Sequence, residues 1–279
     1  MFRKSKFIVI ALCLIVVGLG IGGAGIALGG PISAFSNPTP FNGVPETLES
    51  FNKIDVTSGT LAVTIKEGET YSISVETGSK VELQYGVKED TLYVEQDSHS
   101  MKWNFPKFLK GNLWNNYGGE IIITVPKDTT LDEISVTLGA EEGRFENLAV
   151  EDFNLMMGVA STNILGLHAE QVTIEGGVGE LTLKESTLKD AKINMGVGNM
   201  KVETALSGDL EIQGGIGNLD IVLDGSENDY NYEISRGGGK ITLNDKKHTG
   251  MMDISIQNKS EQTIDIEAGL GNISIETRS

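Results

Sequence analysis

The sequence is short of the residues on which most protein chemistry depends. Its 279 residues include one cysteine, Cys13, and three widely separated histidines, His99, His168 and His248. A single cysteine excludes an intrachain disulfide bond and a thiolate metal site, and the turn-like surroundings of the histidines predict surface positions. A nucleophile elbow, an HExxH motif and a phosphate-binding loop are all missing. The sequence therefore predicts a non-enzymatic protein with no cofactor, no metal site and no small-molecule substrate.

Basic residues are scarce as well. Lysine and arginine number 22 against 39 acidic residues, so the formal net charge is −17, and −20 without the three basic residues at the N-terminus. Nucleic-acid binding needs a basic surface, so no nucleic-acid partner is predicted. The run from Gly214 to Asp220 approaches the calcium-binding nonapeptide G-G-x-G-x-D, but its acid stands one place late. A calcium ladder is therefore not expected.

Long apolar runs are limited to one. Residues 7–30 carry no charge and follow a basic N-terminus, which predicts a transmembrane helix with residues 1–6 in the cytoplasm. A cleaved signal peptide is the alternative, because Gly22 and Ala24 could form a cleavage site. The apolar run continues past that point, which favours an uncleaved anchor. Residues 31–50, rich in proline, are predicted to be an extended linker.

The rest of the chain is organised by a glycine that recurs every nineteen residues. The repeated glycines are Gly139, Gly158, Gly177, Gly196 and Gly215. With this glycine as position zero, apolar residues fall at −5, −3, −1, +1, +4 and +6. Alternation of this kind indicates two β-strands per repeat. A second glycine at +2, as in Gly179, Gly198 and Gly217, predicts a tight turn with positive φ.

The same offsets recur around Gly59 upstream and around Gly237 and Gly269 downstream, with an extra strand predicted before the last unit. A single coil of nineteen residues cannot offset its own loss of conformational entropy, so the coils must stack. The predicted fold is all-β: a single-stranded β-solenoid, or β-helix-like repeat domain, over residues 51–279, preceded by one N-terminal transmembrane helix. The regular coils occupy about residues 131–225.

Strand alternation also predicts which side chains face the core. Val197, at position +1, is predicted to point inward, and Asn194, at position −2, to point outward. Outward positions of neighbouring coils stack about 4.8 Å apart. Lys192 should therefore lie beside Glu211, as an opposite-charge pair that helps to set the register.

Residues 100–119 interrupt the strand pattern and form a candidate interaction loop. Its basic and aromatic members are Lys102, Trp103, Phe105, Lys107, Phe108, Lys110, Trp114 and Tyr117. No acidic residue occurs between Asp97 and Glu120. Such a loop could bind anionic lipid or an acidic envelope polymer. The alternative is a hairpin folded over the end or flank of the solenoid, with its aromatic side chains buried.

The anchor, the linker, the segment IIITVPKDTTLDEISV at residues 121–136 and the repeated GVGxLxL coils resemble a bacterial β-strand-repeat family. That family is catalogued as a domain of unknown function and carries the provisional label of adhesin. The resemblance covers residues 51–279 and is most specific over residues 121–221. It implies a β-helix-like solenoid at the surface of Gram-positive-type cells, in a family to which no catalytic residues are attributed.

These observations favour a membrane-anchored, extracytoplasmic protein that acts in binding, adhesion or scaffolding at the bacterial cell envelope. An accessory or sensory component of an envelope-stress system is the alternative, because some members of the family are encoded beside envelope-stress regulators. A surface enzyme acting on glycan is a weaker one. The expected partners are membrane lipid, through the anchor, and an envelope polymer or membrane protein. The identity of the ligand, the oligomeric state and the handedness of the solenoid stay open at this point.

Overall fold

The computed structural model describes residues 43–77, 83–96, 119–248 and 253–278. These residues form seventeen strands that join in one sheet, and their only helical element is a single 3₁₀ turn at Glu227–Asp229. The prediction of an all-β fold is confirmed. The predicted transmembrane segment, residues 7–30, lies outside the described residues. Within the described part of the chain, no helix has the length and apolar character needed to cross a bilayer.

The strands differ greatly in length, from two residues to sixty-four. In chain order they are β1 Glu46–Thr47, β2 Lys53–Ser58, β3 Ala62–Gly68, β4 Ser72–Thr77, β5 Leu83–Lys88, β6 Thr91–Gln96, β7 Gly119–Pro126, β8 Thr130–Leu138, β9 Gly143–Leu206, β10 Leu210–Ile216, β11 Leu219–Asp224, β12 Asn231–Gly238, β13 Ile241–Leu243, β14 Lys246–His248, β15 Ile254–Ile256, β16 Thr263–Leu270 and β17 Ile273–Arg278.

The long strand β9 contains the regular coils, which follow one another without a break in the extended backbone. Its two neighbours show the register. Val136 of β8 pairs with Leu155 of β9, and Ile212 of β10 pairs with Ile193 of β9, in both cases in parallel and nineteen residues apart. The repeat read from the sequence is therefore the stacking period, and the fold is a solenoid-like repeat.

Each coil contributes one strand to each of two parallel ladders. The first ladder runs, in spatial order, through β6, β2, β8, the coils of β9, β10, β16 and β12. The second ladder runs through β7, β3, β9, β11, β17 and β13. The apolar core lies between the two ladders and is continuous along the stack.

The coils at both ends are stacked out of chain order. The coil of β2 and β3 lies between the coil of β6 and β7 and the regular coils. At the other end, the coil of β16 and β17 lies between that of β10 and β11 and that of β12 and β13. The template of each coil was predictable from its offsets, but this order was not.

Five antiparallel strands lie at the ends of the ladders, four of them paired directly with a ladder strand. At one end β5 pairs with β6, and β4 pairs with β7 and is followed by β1. At the other end β15 pairs with β12, and β14 pairs with β13. The extra strand predicted before the last unit is β15.

The inward positions carry the core as predicted, with one exception. Ile193 at −3 and Val202 at +6 are completely buried. At −1, the side chains of Met157 and Met195 fill the space that a Cβ on Gly176 would occupy, approaching it within 3.0 and 3.1 Å. Large and small residues therefore alternate at this position along the stack, which is how close-packed cores interdigitate.

The exception is position +1, where the prediction was wrong. Val197 is exposed, and Asn194 is half-buried rather than exposed. The reason lies in the glycine at zero. A Cβ on Gly177 would lie 2.6 Å from the carbonyl oxygen of Gly158, so position zero points along the stack, neither inward nor outward. The chain rotates there, and the next side chain faces solvent.

Candidate functional site

The predicted interaction loop lies in a part of the chain that the structure does not describe. All eight of its named residues, from Lys102 to Tyr117, fall in this part, so their role stays a prediction. The structure does show where the segment starts and ends, because β6 ends at Gln96 and β7 begins at Gly119.

Both ends of this segment are held against the neighbouring coil. The side-chain oxygen of Gln96 accepts hydrogen bonds from the backbone nitrogens of Gly59 and Thr60, both at 2.9 Å, and its Nε2 donates to Thr60 Oγ1 at 2.6 Å. A Cβ on Gly119 would lie 2.7 Å from Leu61 Cδ2. The segment therefore leaves and rejoins the stack at the turn around Gly59.

This turn belongs to a surface that runs along the whole stack, which we call the glycine corner: positions −2 to +3 of each coil, between its two strands. In the coil of β2 and β3, the two strands are separated at this corner by three residues, 59–61. In the end coil, β6 ends at Gln96 and β7 begins at Gly119, on the two sides of the same corner. In the sequence, the predicted loop thus falls between the two strands of that coil.

The central part of the corner carries a line of exposed apolar side chains, which we call the apolar ridge. Its members occupy position +1 of five stacked coils and are between 44% and 61% exposed: Val159, Val178, Val197, Ile216 and Leu270. Ile216 pairs directly with Val197 on one side and with Leu270 on the other. At one strand spacing of about 4.8 Å, the ridge is about 19 Å long. Sequence reasoning assigned Val197 and its equivalents to the core and so missed this surface.

Glycine on both sides leaves the ridge unshielded. Position +2 is glycine in four of these five coils with φ near 152°, as at Gly198 and Gly217, which confirms the turn that the sequence predicted. A Cβ on Gly198 would overlap the carbonyl oxygen of Gly179, so the backbones approach too closely for any side chain. The signal that could have revealed the ridge is this pair of glycines around a single apolar residue.

The corner around the ridge is mostly acidic. In the six coils that stack from Gly139 to Gly269, positions −2 to +3 contain five acidic residues and no lysine or arginine: Glu141, Glu142, Glu175, Glu180 and Glu267. Glu142 pairs with Arg144 at 2.7 Å, and the next coil, which stacks against Leu270, adds Arg236 and Lys240 to the corner. Burial raises the pKa of Glu141. Glu141 also lines an open depression at the start of the ridge, together with Val159 and Val178.

Position +3 carries asparagines that tie three coils together. Asn199 Oδ1 accepts a hydrogen bond from the backbone nitrogen of Asn218 at 3.1 Å, and Asn218 Oδ1 accepts one from the backbone nitrogen of Asn272 at 3.2 Å. The amide side chains also bond along the stack at 3.3 Å. This row of asparagines borders the ridge and links the three coils along the corner.

On the first ladder, the predicted pair forms, since Lys192 Nζ donates to Glu211 Oε1 at 2.9 Å. The inserted coil places Asp265 on the other side of Glu211, with Glu233 next to it. Burial, followed by the charges of Glu267, Glu233 and Glu211, raises the pKa of Asp265. This run of acids follows from the stacking order and was not predicted.

The remaining candidates for chemistry are scattered. His168 is exposed, as predicted, while His248 in β14 is partly buried, and His99 lies outside the described residues. Among the residues that the structure describes, no group of three or more histidine, cysteine or acidic side chains could hold a metal ion.

Comparison with known proteins agrees with the repeat. A model of the Toastrack DUF4097 family matches residues 51–277, which confirms the resemblance to a domain family of unknown function. No curated protein matches the chain.

The solved structures that match the chain are distant in sequence. One, from Clostridium sporogenes and provisionally named a cell adhesion protein, is 19% identical with a TM-score of 0.40, and the match covers 86% of this chain and 100% of that one. Another, provisionally named an adhesin, from Bacteroides fragilis, is 15% identical with a TM-score of 0.38, over 85% of this chain and 98% of that one.

Proposed function

We propose, since the chain belongs to the Toastrack DUF4097 family, that it is a non-enzymatic binding protein of the bacterial cell envelope, acting in adhesion or scaffolding. In this proposal residues 7–30 anchor the chain in the cell membrane, the N-terminus is cytoplasmic, and the stack of coils lies outside. The binding surface is the apolar ridge.

The apolar ridge is the observation that carries this proposal. Its five side chains are large, contiguous and exposed, although the inward positions of the same coils are fully packed. Contiguous exposed apolar surface on an otherwise polar protein usually marks an interaction site. A line of regularly spaced contacts suits the recognition of an extended partner and offers no enclosed space for a reacting molecule.

The path of the chain supports an outward orientation of the ridge. The described chain begins beside β4, since the backbone nitrogen of Gly43 donates to the carbonyl oxygen of Val75 at 2.9 Å. β4 belongs to the same end of the stack as β6 and β7, from which the 97–118 segment leaves. With the anchor attached through residues 31–42, this end faces the bilayer and the ridge extends away from it.

The same geometry favours a second, supporting role for the candidate interaction loop. Lys102, Lys107 and Lys110, with the aromatic residues between them, belong to an insertion at the end that faces the membrane. Tryptophan and tyrosine favour the bilayer interface, and each lysine near an anionic surface adds about 1 kcal/mol. In this role the loop docks on anionic lipid and steadies the stack.

Protease protection and site-specific crosslinking in intact cells test the proposal. The full chain carries a photoreactive amino acid at Val197 or, as a control, at Thr187, which is exposed and lies outside the corner. Protease added to spheroplasts should remove the C-terminal domain, and illumination should give adducts from position 197 only. Protection from protease would contradict the topology. Equal labelling at both positions, or none at either, would contradict the ridge as the binding surface.

A further inference from the structure

We infer that the apolar ridge is a docking site for a cationic polypeptide segment of another protein, one that carries apolar side chains between its lysines or arginines. This inference rests on the proposed function and adds the chemical class of the partner. It depends on three properties of the glycine corner: its apolar contacts, its charge and its glycine backbone.

The apolar contacts require a partner with apolar side chains of its own. Val178, Val197 and Ile216 stand at successive strand spacings, and each is about half exposed. Water around such a line is released when a second apolar surface covers it. A purely polar polymer, such as an uncharged glycan without apolar faces, would leave this surface wet.

The charge of the corner decides between the possible apolar partners. Five carboxylates lie beside the ridge in six stacked coils, against two basic side chains, Arg236 and Lys240, in the coil beyond Leu270. The central members Val178 and Val197 have only Glu175 and Glu180 as charged neighbours on the corner. An anionic bilayer or a nucleic acid would be repelled. A second copy of this chain would bring the same carboxylates and a net charge of −17. A cationic partner is attracted at a distance and pairs with Glu175 and Glu180 on contact.

The glycine backbone favours a polypeptide. Glycines at zero and +2, such as Gly196 and Gly198, are half-buried and place no side chain on either side of the ridge. Side chains of a partner can reach the backbone there without meeting a Cβ. The asparagines at +3, Asn199 and Asn218, border the ridge and provide amide groups for hydrogen bonds. Basic side chains, apolar side chains and backbone amides occur together in a polypeptide.

Titration with defined peptides tests this inference. The full chain is reconstituted in nanodiscs of zwitterionic lipid and titrated with a fluorescent peptide of alternating leucine and lysine, about sixteen residues long. A second peptide has glutamate in place of lysine. Empty nanodiscs give the background signal. We expect saturable binding of the lysine peptide only, weakened by added salt because the attraction is partly electrostatic. The triple variant Val178→Ser, Val197→Ser, Ile216→Ser should weaken it by about tenfold or more.

Matched variants distinguish binding at the ridge from nonspecific attraction of a basic peptide to an acidic protein. Glu175→Gln with Glu180→Gln should weaken binding by at least about fivefold and reduce its salt dependence. Thr182→Ser with Thr187→Ser, both outside the corner, should leave the affinity unchanged. Circular dichroism and melting temperature should be the same for all variants, because none of the replaced side chains is buried.

Three results would overturn the inference. The first is equal binding of the glutamate peptide, or no binding of either peptide. The second is an affinity that the ridge variant does not change. The third is a crosslink from position 197 of the purified chain to its own residues 97–118 or to a second copy, since another occupant would then cover the ridge. The first two results leave the protease and in-cell crosslinking tests of the proposed function unaffected, whereas the third would also remove the ridge as the binding surface.

Discussion

The regular coils of β9 and the coils at the two ends share one template but are held together in different ways. In β9, each coil stacks on the coil that precedes it in the chain, and bare glycine backbones meet at the corner, as Gly196 meets Gly177. At the ends, the neighbouring coil comes from elsewhere in the sequence, and side chains hold it in place. A repeated pattern therefore specifies the cross-section of a coil, while the identity of its neighbour needs contacts that do not repeat.

Those contacts are hydrogen bonds between the side chains of asparagine or glutamine and the backbone. Asn258 Nδ2 donates to the carbonyl oxygens of Glu227 and Tyr230, both at 2.9 Å, and Asn231 Nδ2 donates to the carbonyl oxygen of Ser260 at 2.8 Å. They join the chain before β16 to the coil of β12. Gln96 has the same role at the other end. Each such bond satisfies a backbone group that a regular coil would pair within its ladder.

The largest expected effect tests the stacking order of the coils. Of two pairs of introduced cysteines, one should form a disulfide bond and the other should not. In a chain with Cys13→Ser, the pair Glu211→Cys and Asp265→Cys should form a disulfide bond on oxidation, because the two positions are directly paired. The pair Glu211→Cys and Glu233→Cys should not form one, since two strand spacings, about 9.6 Å, exceed the reach of a disulfide bond. Gel mobility without reductant measures both. A stack in chain order would give the opposite result.

Within a regular coil, two neighbouring positions should differ strongly in their effect on stability. Gly198→Ala places a Cβ against the carbonyl group of Gly179 at a φ of 152°, and strain with overpacking should cost about 2–6 kcal/mol. Val197→Ala removes an exposed side chain and should change the free energy of unfolding by less than about 0.5 kcal/mol. Urea unfolding followed by circular dichroism compares them. Similar losses would mean that Val197 is packed after all.

The smallest effect concerns the run of acids that the inserted coil creates. Because the pKa of Asp265 is raised in the folded state, its ionisation opposes folding, and the stability it contributes is present at low pH and lost as pH rises through the raised pKa. Asp265→Asn should therefore stabilise the protein at pH 7 by a few tenths of a kcal/mol.

The gain from Asp265→Asn should shrink as pH falls toward the ordinary value of 3.8, and melting temperatures across that range measure it. Asp220→Asn is the matched control, since Asp220 pairs with Lys201 in the second ladder and its loss should not stabilise. A gain from Asp265→Asn that stays the same at all pH values would show that the charge is not its cause.

Much of the fold was predictable because a period of nineteen residues reports both strands and turns. The offsets predicted the buried positions at −5, −3, +4 and +6, the turn at Gly198 and the ion pair of Lys192 with Glu211. They could not predict the exposure of Val197, because period-two alternation assumes a backbone that does not rotate, and a stacked glycine rotates it. They could not predict the order of the end coils either, because all coils with one template fit one another equally well.

The antiparallel strands at the four ladder ends have a consequence for the protein's behaviour at high concentration. Parallel coils stacked at one strand spacing repeat like a cross-β fibril, and an open end would recruit the same template from another molecule. Here the terminal strands are mostly short: β1 has two residues, β14 and β15 have three. β14 also carries Lys246 and Lys247. Short and charged edges discourage further pairing. These strands terminate the ladders, so each molecule keeps a fixed number of coils and does not assemble into a fibre.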